Sequence, residues 1–216
     1  MKIGSLTTGN GVVTTFQLTY LPEFLAFSPT TAISKVVVNV LGDGIICDLD
    51  AAGISQLGNL ETIGSVTNLA SLRLADGIVL NKNVTIEITN SAAQTPDIFA
   101  YSVSKGGVYV QSIRQTAFAN SGIEIKNFLN VGFSNAGATD DFQVSFVDGT
   151  TQKMNREELK FLFAYENSVK NTSADYLLRN YMGNVLLVNY TPSAQTVIYV
   201  QRMAGTKNVV LNSSVN

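Results

Sequence analysis

The chain carries one series of local signals twice, and that duplication limits it to folds that can be built from two like modules. A β-branched run, Lys35-Val36-Val37-Val38-Asn39-Val40-Leu41, stops at Asp43-Gly44, a turn-favouring pair. Asp48-Leu49-Asp50 and then Ile54, Leu57 and Leu60 follow it. Further along, Phe142-Gln143-Val144-Ser145-Phe146-Val147 alternates as a half-buried strand does, stops at Asp148-Gly149, and leads to Asn155, Leu159, Leu162 and Phe163. The two Asp-Gly pairs lie 105 positions apart, and so do Asp50 and Asn155.

Those last two residues are expected to cap helices. In the second copy Asn155 caps and Glu158, at the third helical position, can return a hydrogen bond; in the first copy Gly53 stands where that Glu should be. A further helical turn is expected in each half, from Thr67-Asn68 through Leu72-Arg73-Leu74 to Gly77, and from Thr172-Ser173 through Leu177-Leu178-Arg179 to Gly183, each ending in a glycine cap. Strands then recur at Val84–Thr89 and Val185–Tyr190, loops at Ala93-Gln94-Thr95 and Ala194-Gln195-Thr196, and strands again at Ile98–Val103 and Val197–Met203. The offset drifts to 101, the mark of a short deletion. Upstream, Thr15–Tyr20 with Phe27-Ser28 matches Ile123–Phe128 with Phe133-Ser134. The link between copies falls near Lys105 to Phe118, which divides the chain into residues 1–110 and 111–216. Units of this size, with many short strands, Gly- and Asn-rich turns and only short helices, predict an all-β chain of two tandem sandwiches or jelly rolls.

Composition removes most chemistry. The chain has no His and one Cys, so Ser-His-Asp and Cys-His arrangements, intrachain disulfides and zinc clusters are excluded. Cys47 reads as a small buried hydrophobe rather than a nucleophile. A net charge of −2 without any run of like charge argues against direct nucleic-acid binding. Only 14% of residues are charged, a surface ill suited to a solitary monomer. The first residues lack the apolar core of a signal peptide, so synthesis without the secretory route is expected, and the sequons at Asn83, Asn171 and Asn212 read as accidents.

Remaining polar groups carry a chemical and a structural reading side by side. Asp43, Asp48 and Asp50 invite calcium, but the spacing is not that of a hand-type loop, and turn and cap roles need only these residue types. Asp140-Asp141 with Asp148 would serve as paired carboxylates only in a cleft; beside a strand and a turn they read as structural. Arg73 and Arg179 occupy matching places and suit either an ion pair between barrels or subunits or a solvated face; Arg114 and Lys126 read the same way. Phe161, Phe163 and Tyr165 cannot all face inward on one helix, which leaves some for a subunit contact. No glycine cluster has phosphate-cradling spacing. No catalytic, cofactor-binding or metal-ligating residue is therefore assigned.

The doubled order of strand, Asp-Gly, helix, capped turn, glycine and strand, at Val36–Gly77 and Phe142–Gly183, resembles the major capsid proteins of tailless, lipid-containing bacteriophages of the corticovirus and Flavobacterium lipid-phage type. Leu18-Thr19-Tyr20-Leu21-Pro22 and the Ile113–Phe118 link add to the likeness. The resemblance implies a non-enzymatic double jelly roll without cofactors. It implies a homotrimer whose six barrels form a pseudo-hexagonal capsomer, assembled in the host cytoplasm into an icosahedral virion shell around a membrane. Its partners would be other copies of itself, vertex proteins and the inner membrane surface. A second reading is a glycan-binding or adhesive β-sandwich module of a spike or fibre, marked by exposed aromatics on one loop face. A cupin-type enzyme lacks its His ligands here.

Overall fold

Both Asp-Gly pairs close antiparallel hairpins in the computed structural model, which describes residues 1–28, 33–63, 66–91, 93, 95–105, 107–134, 136–159, 176–180 and 183–203. Two compact units divide principally at Ile113 and Arg114. The first contains β1 (Lys2–Ser5), β2 (Val13–Leu21), β3 (Phe24–Ser28), β4 (Ile33–Val40), β5 (Gly44–Asp50), α1 (Ala51–Leu57), β6 (Asn59–Ile63), β7 (Val66–Arg73), β8 (Val79–Asn90), β9 (Asp97–Tyr101) and the opening of β10 (Val110–Ala117). The second contains β11 (Ile123–Lys126), β12 (Asn130–Ser134), β13 (Asp141–Phe146), β14 (Thr151–Met154), β15 (Tyr176–Arg179), β16 (Val185–Thr191) and β17 (Thr196–Met203).

Corresponding strands follow the same order in both units. In the first unit β2-β8-β4-β5-β10 is a run of hydrogen-bonded neighbours within a larger sheet and β1-β9-β3-β7-β6 is a second sheet. In the second, β11-β16-β13-β14 repeats β2-β8-β4-β5, and β17-β12-β15 repeats β9-β3-β7. Registers repeat as well. Phe27 pairs with Ile98 and Phe133 with Ile198; Phe24 pairs with Arg73 and Asn130 with Arg179. Even the backbone links outside the ladders match: Leu74 N–H donates to the Glu23 carbonyl at 2.8 Å, and Asn180 N–H to that of Leu129 at 2.8 Å. The chain is all-β, a double jelly roll with short helices in its connections.

Local chemistry explains why the hairpins and helices recur. Gly44 and Gly149 have φ of +91° and +85°, a left-handed conformation that costs an L side chain energy but not glycine. After each hairpin a capped helix starts. The Asp50 carboxylate accepts the Gly53 N–H at 3.0 Å, and Asn155 Oδ1 accepts the N–H groups of Glu157 and Glu158 at 2.9 and 3.0 Å. Glu158 returns the bond to the Asn155 N–H at 2.8 Å, so the expected capping box is present.

One expectation is corrected. The stretch expected to be a second helix in the first copy is strand β7, and Leu177-Leu178-Arg179 lies in β15; the caps Thr172 and Ser173 fall outside the described residues. Leu72 and Leu74 are both buried, a spacing of two that suits a strand. The central place of β7 between β3 and β6 then satisfies its backbone on both sides. Gly77 and Gly183 do have positive φ, +88° and +65°, but as turn residues ahead of β8 and β16. A left-handed glycine fits a turn as well as a helix end.

The cores use one register with different side chains. Val36 pairs with Ile88 in the first unit, and the corresponding pair in the second is Phe142 with Tyr190. There Phe142 stacks on Tyr190 at 4.7 Å between centroids, and Phe133 meets both edge-on at 5.2 and 5.0 Å. Such pairs add about 0.5–1.5 kcal/mol each beyond burial. Burying a side chain of this size contributes roughly 1.5–3 kcal/mol, so an aliphatic and an aromatic core can each hold the same topology.

Candidate assembly surface

Polar side chains whose sequence context suggested chemistry prove to hold the fold. Asp140 is 2% exposed and accepts four hydrogen bonds: from Gly137 N–H at 2.8 Å, Tyr190 Oη at 2.6 Å, and the Ser193 N–H and Oγ at 2.8 and 2.6 Å. It ties the approach to β13, the body of β16 and the loop after β16 together. Burial, then the Asp140 carboxylate, push the Tyr190 phenol well above its ordinary range, so it stays a donor. Asp141 pairs instead with Lys153 at 3.0 Å on the surface. Asp148 accepts the Thr150 N–H and hydroxyl at 2.9 and 2.6 Å, which lowers its pKa. The three carboxylates thus have three separate tasks.

The first-copy acids separate in the same way. Asp50 caps α1, Asp48 pairs with Lys35 at 3.1 Å, and Asp43 accepts from Lys82 Nζ at 2.7 Å and Tyr109 Oη at 2.8 Å. The Lys82 bond, then that from Tyr109, lower the Asp43 pKa, and Lys82 lies 5.7 Å from the Tyr109 ring centroid. Among the described residues no group of three or more His, Cys, Asp or Glu side chains is placed to hold a metal ion. Cys47 is buried in β5, where desolvation first, then Asp48, push its thiol up to about 12. Arg73 pairs locally with Asp76 and donates to the Ala75 carbonyl at 3.2 Å. Lys126 pairs with Glu124 at 2.6 Å, and Arg114 is exposed on β10. Phe161, Phe163 and Tyr165 lie outside the described residues.

Glu23 escaped the sequence reading altogether. It is buried, and its Oε2 accepts the N–H groups of Val103 and Ser104 at 2.9 and 3.2 Å and the Ser104 hydroxyl at 3.3 Å. Nothing in a Pro-Glu pair before a strand announces that a loop 80 residues away will close over it.

Apolar side chains also remain on the surface. Leu41 (71% exposed) and Val147 (55%) hold equivalent places at the turn ends of the two units, and Leu80 (59%) and Leu186 (53%) lie near the starts of β8 and β16. The backbone at these places is equivalent: Leu41 N–H donates to the Asn83 carbonyl at 2.9 Å and Val147 N–H to that of Asn184 at 3.0 Å. Because β8 runs antiparallel to β4, and β16 to β13, the start of one strand lies beside the end of the other. Ile45 and Val108 extend the first patch around Asp43, Lys82 and Tyr109. Large exposed apolar side chains that recur at equivalent points of two modules, as Leu41 and Val147 do, are candidates for a contact surface.

No family model and no curated protein matches the chain by sequence. Among solved structures it is similar to the major capsid protein of bacteriophage PM2, with a TM-score of 0.61 and 12% identity over 93% of this chain and 94% of that one. It is likewise similar to the STIV major capsid protein, with a TM-score of 0.60 and 9% identity over 92% and 93% of the two chains. The fold is therefore shared from end to end with major capsid proteins of two viruses.

Proposed function

We propose that the chain is a non-enzymatic major capsid protein that associates as a homotrimer and tiles with copies of itself into a virion shell. The likeness in fold to two viral major capsid proteins, over more than nine tenths of each chain, carries this reading. Two further observations support it. Asp140 and Asp148, which the sequence offered for catalysis, are engaged in holding turns and loops, and Leu41 and Val147 expose apolar side chains at matched positions of the two units. A chain with 14% charged residues buries such patches readily when it meets a copy of itself.

In this reading three chains supply six barrels to a pseudo-hexagonal capsomer, and the capsomers form an icosahedral shell around an internal membrane. Vertex proteins and the membrane surface are its remaining neighbours. The net charge of −2, without any run of like charge, argues against direct contact with packaged nucleic acid. Light scattering after size exclusion is expected to give the mass of three chains, and particle images to show six lobes per capsomer. A chain that stays monomeric at every concentration, or a monomer that binds glycans, would overturn the reading.

A further inference from the structure

Glu23 stands just before β3, is 3% exposed, and meets the stretch 102–104 with both its backbone and its side chain. Its N–H donates to Ser102 Oγ at 3.0 Å, and its Oε2 accepts the N–H groups of Val103 and Ser104 at 2.9 and 3.2 Å and the Ser104 hydroxyl at 3.3 Å. Two successive N–H groups aimed at one anion form a small concave anion site, and here a carboxylate of the same unit fills it. The Glu23 carbonyl in turn accepts the N–H groups of Leu74 and Ala75 at 2.8 and 3.3 Å. Beyond the carboxylate, the Ser104 carbonyl accepts the Ile78 N–H at 2.9 Å, beside an isolated parallel bridge between Ile78 and Lys105.

The second unit shows that its counterpart does not need this carboxylate. Phe24 and Asn130 are equivalent through their pairing with Arg73 and Arg179, which puts Leu129 at the place of Glu23. The Leu129 carbonyl accepts the Asn180 N–H at 2.8 Å, as that of Glu23 accepts Leu74, so the backbone here builds equally well with an apolar side chain. What the carboxylate adds is a hold on the stretch that leaves β9. That stretch buries little of its own: Val103 is 78% exposed, and Ser104 and Lys105 are exposed with it. Leu25, Ala26 and Phe27 of β3, by contrast, are buried. A segment held by polar bonds, with little apolar surface removed from water, opens at a lower free energy than the core strands beside it.

We infer that 102–105 is a strap latched onto the first unit by Glu23, one that opens and closes while β3 and β4 stay folded. An ionised acceptor makes bonds about twice as strong as a neutral one, and burial removes water as a competitor for them. Release frees the amides of Val103 and Ser104, takes the acceptor from the Ile78 N–H, and unfixes the direction in which the chain leaves β9. The inference rests on the contacts of Glu23 and not on the capsid reading.

Hydrogen exchange on the full chain, on Glu23→Leu and on Glu23→Gln tests it. The first variant carries the side chain found at this place in the second unit; the second keeps an acceptor oxygen without the charge, and serves alone if the first does not fold. The amides of Val103, Ser104 and Ile78 are expected to exchange on the order of tenfold faster in Glu23→Leu and about threefold faster in Glu23→Gln, while those of β4 keep their rates. Equal exchange of the three amides in every chain tested would overturn the inference. So would an equal rise in the strap and in β4, because the carboxylate would then support the whole unit rather than latch one segment of it.

Discussion

The Tyr190 hydroxyl donates to the Asp140 carboxylate at 2.6 Å, across 50 residues of sequence and inside the core of the second unit. Three more donors fill the same carboxylate, and Gly137 leaves room for it: a Cβ there would stand 2.5 Å from Ser193 Oγ and 2.6 Å from Asp140 Oδ1. Asp140→Asn presents an NH₂ to groups that are themselves donors. It is expected to cost about 2–4 kcal/mol, against about 1–2 kcal/mol for Tyr190→Phe, which leaves the carboxylate three partners. Urea unfolding of both variants and their double mutant checks this, and additive effects would show that the bond carries no coupling.

The capping box at Asn155 and Glu158 is the best-formed local device in the chain. Asn155→Ala should lower stability by about 1 kcal/mol, and Asn155→Asp should restore most of it. Asp50→Ala is expected to match it, since its bond to Gly53 N–H does the same work in the first unit. Chemical denaturation of the three variants is the measurement.

Cys47 predicts an alkaline loss of stability. Its thiol, ordinarily near 9.0, is pushed up to about 12 in the folded chain, by burial first and then by Asp48. The unfolded chain therefore releases this proton first, so the folded state is favoured fully below pH 9 and loses that advantage as pH climbs towards 12. Cys47→Ala should flatten this part of the curve, and a thiol reagent at neutral pH should label the unfolded chain but not the native one.

Leu80→Asp and Leu186→Asp test the exposed apolar side chains. Both side chains are more than half exposed, so the stability of the single chain should change by less than about 0.5 kcal/mol. Assembly is expected to weaken in each variant and to weaken further in the double variant, as read by light scattering. Unchanged assembly in all three would remove these residues from the contact surface.

Local chemistry made the duplicated order legible in the sequence. Asp43-Gly44 and Asp148-Gly149 form turns because of glycine's backbone, and Asp50 and Asn155 cap because of side-chain reach over three residues. Such interactions are complete within a short window, so they survive in two copies whose cores have become aliphatic in one and aromatic in the other. The fate of 66–73 needed more than a window, because this stretch became a strand only when β3 and β6 lay on either side. Asp140 and Glu23 were decided by tertiary structure for the same reason: their partners come from up to 81 residues away and exist as a site only once burial removes water as the alternative. Exposure itself is also a tertiary property. Leu80 and Leu186 read as ordinary strand residues in sequence, and only the packed sheets show that both face outward.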